Sequence, residues 1–360
     1  MIESSSSMNI LFFSRLFYPH IGGVEKHVME ISKVLIKRGY KITVVTEQDF
    51  FEEKLSEIFE GIQIFRIPKF KNGKNKKFKI WKWLWNNRQL IKDADIIHCH
   101  DVFFWYLPFR LLFPLKKVFT TFHGYEGNSL PSRSAIIMHK LAEKLSMGNI
   151  CVGDYLSKWY GTRPTRVTYG AIDSKSSVRI IENKNPNRNG IIKVTFVGRL
   201  EKEAGIIEYL EVLKTLRDRR YKIKLIVLGD GLQRLQAEKF CKIHKLDVEF
   251  KGFVRNVDEY LINSDYVFTS RFLSTLEALN NRKFAFVIYN NAIKKDCFAM
   301  SPFVDFISLD KDVASLSSRF IYYLNHKELV DKEIINGYNW VKKQTWEALV
   351  NLYLTVWRIK

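Results

Sequence analysis

The 360-residue chain reads as an α/β protein of two doubly wound, parallel-sheet domains facing an inter-domain cleft. Three observations predict this. Apolar strand-like runs alternate with helical periodicity in both halves. Glycines fall at the turns that follow strands. A polar, aperiodic stretch at 174–189 separates the two series. The length favours two domains of ordinary size. They are placed at 1–175 and 190–338, with the helical tail 339–360 expected to pack back towards the first domain.

Hydrophobic residues make up 46% of the chain and aromatic residues 14%, enough for packed cores, which excludes wholesale disorder. The formal charge of +20 and pI near 9.6 suit a phosphate-bearing partner: nucleic acid, anionic lipid or a phosphorylated small molecule. Nucleic acid rests on charge alone, since no nucleic-acid motif accompanies it, and is not expected as a partner. Cys99, Cys151, Cys241 and Cys297 are scattered and form no CxxC pair, which fits a reducing compartment. No apolar run reaches the ~18 residues of a membrane span. The opening MIESSSSMNI lacks the basic and apolar regions of a signal peptide. The expectation is a cytoplasmic protein.

In the first half, Asn9 to Ser14 (NILFFS) is an apolar run suited to a buried parallel strand. Pro19 and Gly22-Gly23 break the chain. Val24, His27, Val28, Ile31, Val34 and Leu35 then share one helical face up to Arg38. Gly39 stops that helix, and Ile42 to Thr46 forms the next strand. Glycines at a strand-to-helix turn are compatible with a tight turn and with a phosphate-sized anion site on the helix N-terminus. Glu47 to Glu60 is acidic, and Ile62 to Ile67 reads as a short strand.

Lys69 to Arg88 carries eight basic residues, no acid, and the interleaved Trp81, Trp83 and Trp85. Two readings are open: a surface for an anionic membrane, or a solvated loop followed by a helix with inward tryptophans. Trp81 and Trp85 can share a helix face; Trp83 cannot join them. Ala94 to His98 is a strand closing in His98-Cys99-His100-Asp101. His-x-His sets no third metal ligand, so polar groups lining a ligand cleft are the preferred reading. Lys117 to Phe122 is the next strand. It ends in His123-Gly124, where the histidine is either structural or ligand-facing. A helix over Arg133 to Ser146, a strand over Asn149 to Val152 and a helix start at Asp154 follow.

The second half repeats the alternation. Ile191 to Val197 ends in Gly198-Arg199-Leu200, and a helix runs from about Gly205 to Arg217. Lys224 to Leu228 ends in Gly229-Asp230-Gly231, and a helix over Leu232 to His244 leads to a strand over Val248 to Phe250. Asp258 to Asn263 is a short helix. Tyr266 to Phe268 enters a loop and a helix carrying Leu276-Glu277-Ala278-Leu279, and the strand Phe284 to Tyr289 follows. Glu277 by itself reads as an acid near a helix N-terminus. The tail, Asn336 to Lys360, is helical and aromatic.

These segments together resemble a known family. YPHIGGVEKHVMEISKVLIKRGYKITVVT, IIHCHD, TTFHG, VTYGAID, VGRLEKEAGI, LGDG, FKGFV and LEAL stand in the order seen in retaining, nucleotide-sugar-dependent glycosyltransferases of the GT-B fold (family 4-like, group 1). The resemblance covers nearly the whole chain. It implies two Rossmann-like domains and a nucleotide-diphosphate sugar as donor, with no further cofactor and no metal. It implies donor contacts from Gly22, Gly23, Gly198, Arg199 and Glu277, with Glu277 on the ribose, and from the backbone N–H groups of Ser274, Thr275 and Leu276. His123 and Arg199 take the catalytic roles, at the sugar and the leaving diphosphate. His27, His100 and Asp101 fall on the acceptor side, where a glycan or lipid-linked acceptor is expected, with Lys69 to Arg88 on an anionic membrane surface.

Two positions depart from the family pattern. Ala204 stands where the family carries a lysine five residues after the arginine of GRL. Thr269 stands where it carries a glutamate. Arg271, in a contracted loop, is the candidate for the missing cation. The alternative is a non-catalytic protein of the same fold that binds a nucleotide or glycan.

Overall fold

The computed structural model describes residues 7–20, 22–50, 52–70, 75–124, 130–173 and 190–359. The chain divides into two compact units. One holds residues 1–125, 131–168 and 346–360; the other holds 126–130 and 169–345. The expected linker at 174–189 lies outside the described residues.

The first unit is built from β1 (Asn9–Ser14), α1 (Gly23–Lys37), β2 (Lys41–Glu47), β3 (Ser56–Phe59), β4 (Ile62–Ile67), α2 (Lys76–Asn86), α3 (Gln89–Asp93), β5 (Ile96–His100), α4 (Phe103–Leu112), β6 (Lys117–Phe122), α5 (Arg133–Leu145), β7 (Gly148–Val152), α6 (Tyr155–Tyr160) and β8 (Arg166–Thr168). Its sheet runs β3-β4-β2-β1-β5-β6-β7-β8, and only β3 is antiparallel. Residues Ile10 to Phe13 are buried, as a strand covered by helices on both faces requires. The order reverses at β1, which pairs with β2 on one side and β5 on the other, with Ser14 opposite His100. That is where an open parallel sheet binds its ligand.

Among the elements the sequence reading did not anticipate, two carry a physical reason. The acidic stretch contains the edge strand β3. Its Glu57 and the neighbouring Glu53 lie 2.6 Å and 3.5 Å from the buried guanidinium of Arg66, which explains the local run of acids. The helix α4 (FFWYLPFRLL) was not expected; it is apolar almost all round, so it shows no period to read.

The second unit contains β9 (Ile191–Val197), α7 (Ile206–Asp218), β10 (Lys222–Leu228), α8 (Arg234–Ile243), β11 (Val248–Gly252), α9 (Asp258–Ile262), β12 (Tyr266–Thr269), α10 (Phe272–Asn280), β13 (Phe284–Ile288), α11 (Ala292–Ala299), β14 (Ile307–Asp310), α12 (Val313–Asn325) and α13 (Lys327–Val341). All strands are parallel, in the order β11-β10-β9-β12-β13-β14. The reversal falls at β9, where Val197 is opposite Thr269. The exits of β9 and β10 pass so closely that a Cβ on Gly229, at φ +134°, would lie 1.9 Å from the Gly198 carbonyl oxygen. Only glycine fits there.

Tyr209 of α7 braces the other side of this point. Its buried hydroxyl donates to Thr269 O (2.6 Å) and accepts from Ile288 N (2.9 Å), tying the ends of β12 and β13. The last helix, α14 (Trp346–Trp357), belongs to the first unit and packs on α1, β7 and β8.

Candidate active site

In the first unit the residues at the sheet reversal form a buried imidazole cluster. His27 comes from α1, His98 and His100 from β5, and His123 from the end of β6. His27, His98 and His100 are buried, and His123 is half-buried. The rings of His27 and His123 are 4.6 Å apart, edge to face. His100 Nδ1 and His123 Nε2 share a hydrogen bond of 2.8 Å. Asp101, at φ +60°, accepts from the backbone N–H of His123 at 2.9 Å.

Behind the cluster a polar chain runs into α14. The Trp357 indole donates to His98 Nδ1 (2.9 Å); His98 Nε2 meets Thr121 Oγ1 (2.7 Å); Thr121 Oγ1 meets Tyr353 Oη (2.8 Å); Tyr353 Oη meets His27 Nε2 (2.8 Å). An indole nitrogen is donor-only. His98 therefore carries its hydrogen on Nε2. If every hydrogen in the chain is used, each group donates to the next, and His27 Nε2 accepts from Tyr353. This assigns His27 the Nδ1–H tautomer. Tyr353 and Trp357 are thus site-supporting residues whose partners lie hundreds of positions away, and no local sequence signal marks them.

Burial holds all four imidazoles neutral. His27 is lowered to about 3 by desolvation. His98, His100 and His123 are lowered well below the usual histidine range, by desolvation first and by neighbouring imidazoles second. His27, His100 and His123 each offer a nitrogen, all within 4.8 Å of one another. The neutral, hydrogen-bonded cluster is the arrangement these contacts favour.

Gly22 is the N-cap of α1, with extended backbone, and Gly23 is the first helical residue. A Cβ on Gly22 would lie 2.2 Å from the Glu25 carboxylate, so an acidic side chain already stands at this helix N-terminus. Gly23 is open.

In the second unit the predicted donor residues gather at the ends of β9 and β12. Gly198 and Ser270 are in contact: a Cβ at 198 would be 2.8 Å from the Ser270 hydroxyl. Arg199 is exposed. Arg271, the N-cap of α10, makes no side-chain hydrogen bond to the helix. Its guanidinium is 4.0 Å from the Glu203 carboxylate.

The helix starts earlier than expected, which corrects the assignment of its amides. Thr275 N–H donates to Arg271 O at 3.1 Å, and Leu276 lies in the second turn, where amides are paired within the helix. Of the expected amides Ser274 stays in the first turn, and Leu273 joins it there. The Ser274 and Thr275 hydroxyls both donate to Arg271 O. Glu277 is half-buried in mid-helix, so the reading as an N-terminal acid does not hold. Thr269 is fully buried, its hydroxyl 2.8 Å from that of Thr275.

Residues 21–175 match Glycosyltransferase Family 4, and residues 177–294 match Glycosyl transferases group 1, together most of the chain. The chain belongs to this glycosyltransferase family. The Phosphatidylinositol N-acetylglucosaminyltransferase gpi3 subunit of Schizosaccharomyces pombe is 23% identical over 269 residues, 68% of this chain and 56% of that protein. The chain spans about half the length of the curated relatives it matches. Sucrose-phosphate synthase from Thermosynechococcus elongatus superposes with a TM-score of 0.77 at 16% identity, over 98% of each chain. Anabaena HepE, solved in complex with UDP, gives 0.67 at 13% identity, over 97% of this chain and 98% of that one. These likenesses give the glycosyltransferase the GT-B fold.

The neutral histidines set a pH dependence. Each has a folded pKa below its unfolded value, so the unfolded chain binds more protons as pH falls. Their stabilisation is present above about pH 6.5 and is lost below it, by roughly 1.4 kcal/mol per pH unit per histidine. Urea midpoints measured at pH 7.0, 6.0 and 5.0 should fall with increasing slope, and His27→Gln should make the slope shallower. A flat profile over that range would contradict the neutral cluster.

Proposed function

We propose that the chain moves a sugar from a nucleotide-diphosphate sugar to a glycan or lipid-linked acceptor, with retention at the anomeric carbon. The observation that carries this reading is the cluster at the β9–β12 reversal: exposed Arg199, half-buried Glu277, and the first-turn amides of α10 without a side-chain cap. Transfer builds negative charge on the leaving diphosphate. A guanidinium and helix N–H donors aimed at that charge lower the barrier. Glu277 accepts hydrogen bonds from the ribose hydroxyls, and Gly22 and Gly23 lie along the donor phosphates.

His123 serves the sugar. Its Nε2 is engaged with His100, so Nδ1 is the atom left for a hydroxyl, and the neutral ring brings no charge to an oxocarbenium-like centre. His27, His100 and Asp101 take the acceptor side. Retention proceeds by same-face attack of the acceptor, with no enzyme nucleophile. The acceptor hydroxyl passes its proton to the departing diphosphate oxygen as the sugar–phosphate bond breaks and the new glycosidic bond forms.

The acceptor is placed at an anionic membrane surface. No described helix is long and apolar enough to cross a membrane. On α2, Ile80 and Leu84 are buried, Trp81 and Trp83 are half-buried, and Phe78 and Trp85 are exposed beside Lys77, Lys79 and Lys82. The Trp81 indole donates to Phe104 O (2.9 Å), so the tryptophans divide between the two readings of this segment. Exposed Leu111 and Leu112 end the neighbouring α4, and exposed Leu115 follows in the loop after it. Lysines around exposed aromatic and leucine side chains suit a headgroup layer. Residues 71–74 of the basic segment lie outside the described residues.

A second reading, a nucleotide- or glycan-binding protein without transfer, draws on Ala204 and on the buried, hydroxyl-committed Thr269. Assays of nucleoside diphosphate release separate the two. Transfer predicts release that Arg199→Ala lowers by roughly 10²–10³-fold; binding without release favours the second reading. Co-sedimentation with anionic vesicles at low salt should be lost when Lys77, Lys79 and Lys82 are changed to Gln. Failure to bind, or binding indifferent to these changes, would remove the membrane surface from the account.

A further inference from the structure

The cation missing at Ala204 has a replacement that arrives from another element. Lys294, on α11, is 2% exposed. Its ammonium reaches the short turn Lys202–Ala204 and donates to Glu203 O at 2.9 Å. Asn290 Nδ2 donates to Lys202 O (3.3 Å), which fastens the same two segments together. A lysine has three hydrogens to donate. Among the described residues this one carbonyl is the only hydrogen-bond partner of the Lys294 ammonium, and the Glu208 and Glu203 carboxylates act on it only from beyond ion-pair distance. A buried ammonium left so incompletely compensated is costly.

A second group at the same strand ends is also incomplete. Ser270 is 2% exposed, and its hydroxyl has no hydrogen-bond partner. It lies between Gly198 and the uncapped start of α10. The positive charge of Arg271 acts on Lys294. Beside Arg271, a buried lysine with a single carbonyl partner, an orphan hydroxyl and the N-terminus of a nine-residue helix make a set suited to a diphosphate.

We propose that Lys294 is the diphosphate-binding cation of this chain, standing in space for the lysine absent at Ala204, with Ser270 as a hydroxyl donor beside it. The inference rests on the reading of the second unit as the donor-binding unit. It differs from the assignment of that role to Arg271 alone, whose guanidinium is half-exposed and faces Glu203. Burial, followed by the charge of Arg271, lowers Lys294 to about 7. Burial therefore favours the neutral amine in the free protein, against the opposing charges of Glu208 and Glu203. A bound diphosphate restores the proton, because a dianion beside it offsets the burial.

The experiment uses the full chain and a panel of uridine, guanosine and adenosine diphosphates, titrated calorimetrically at pH 8 in two buffers of different ionisation enthalpy. The second phosphate ionisation, near pH 6, is complete there, so proton uptake reports the protein. Wild type should take up protons on binding the nucleotide. Its affinity should fall as pH rises above 7. Lys294→Met keeps the stem and removes the buried charge; it should bind about ten- to a hundredfold more weakly, with no proton uptake and a flat pH profile over the same range. Ser270→Ala should weaken binding while leaving proton uptake intact. If a diphosphate binds wild type and Lys294→Met equally, with the same proton uptake, the assignment of Lys294 is overturned while the donor reading stands. If wild type binds none of the three, both are overturned.

Discussion

Strands that are buried on both faces leave a parallel sheet only one place for polar chemistry, the loops beyond its carboxyl edge. Everything else in this chain depends on that constraint. Ile10 to Phe13 in one unit and Val267, Phe268 and Phe284 to Ile288 in the other are sealed in apolar layers. The ionisable and donor groups are consequently pushed to strand ends. Where the strand order reverses, neighbouring ends splay and a crevice opens. His100 and His123 stand at the first reversal; Arg199, Ser270 and Arg271 stand at the second.

The two units use this edge differently. The first collects neutral imidazoles and fixes their hydrogens from behind, through a chain that begins at an indole unable to accept. Its role suits hydroxyl recognition, which needs oriented donors and acceptors rather than charge. The second collects cations with too few anions. Lys294 and Arg271 lie close together, and the helix between β12 and β13 presents its positive end to the same place.

Much of this was legible in the sequence because the parallel strands announce themselves as apolar runs followed by glycine or a polar residue. NILFFS, KVFTTF and IIKVTFV needed no partner information to be read. What stayed hidden depends on distance in the fold. The helix Phe103–Leu112 is apolar on nearly every side, so no period betrays it. The edge strand Ser56–Phe59 sits in a run of acids whose purpose appears only with Arg66 against them. Helix α10 starts at Phe272, and this moved the unpaired amides away from Thr275 and Leu276. Lys294 is one of two adjacent lysines in NNAIKKDCF and reads as a solvated charge. Only the packing of α11 against the turn Lys202–Ala204 brings it indoors. In the same way, Tyr353 and Trp357 read as an aromatic stripe, while their hydroxyl and indole hydrogens are what order the histidines.

The central claim is that the second unit binds the diphosphate of a nucleotide sugar. A thermal-shift comparison of nucleoside diphosphates with the monophosphates of the same bases tests it most directly, since a ligand of the folded state raises the melting temperature by mass action. One base, as its diphosphate, should raise the melting temperature well above its monophosphate, and the difference should shrink in Arg199→Ala. Equal, negligible shifts for every diphosphate and monophosphate would contradict the claim.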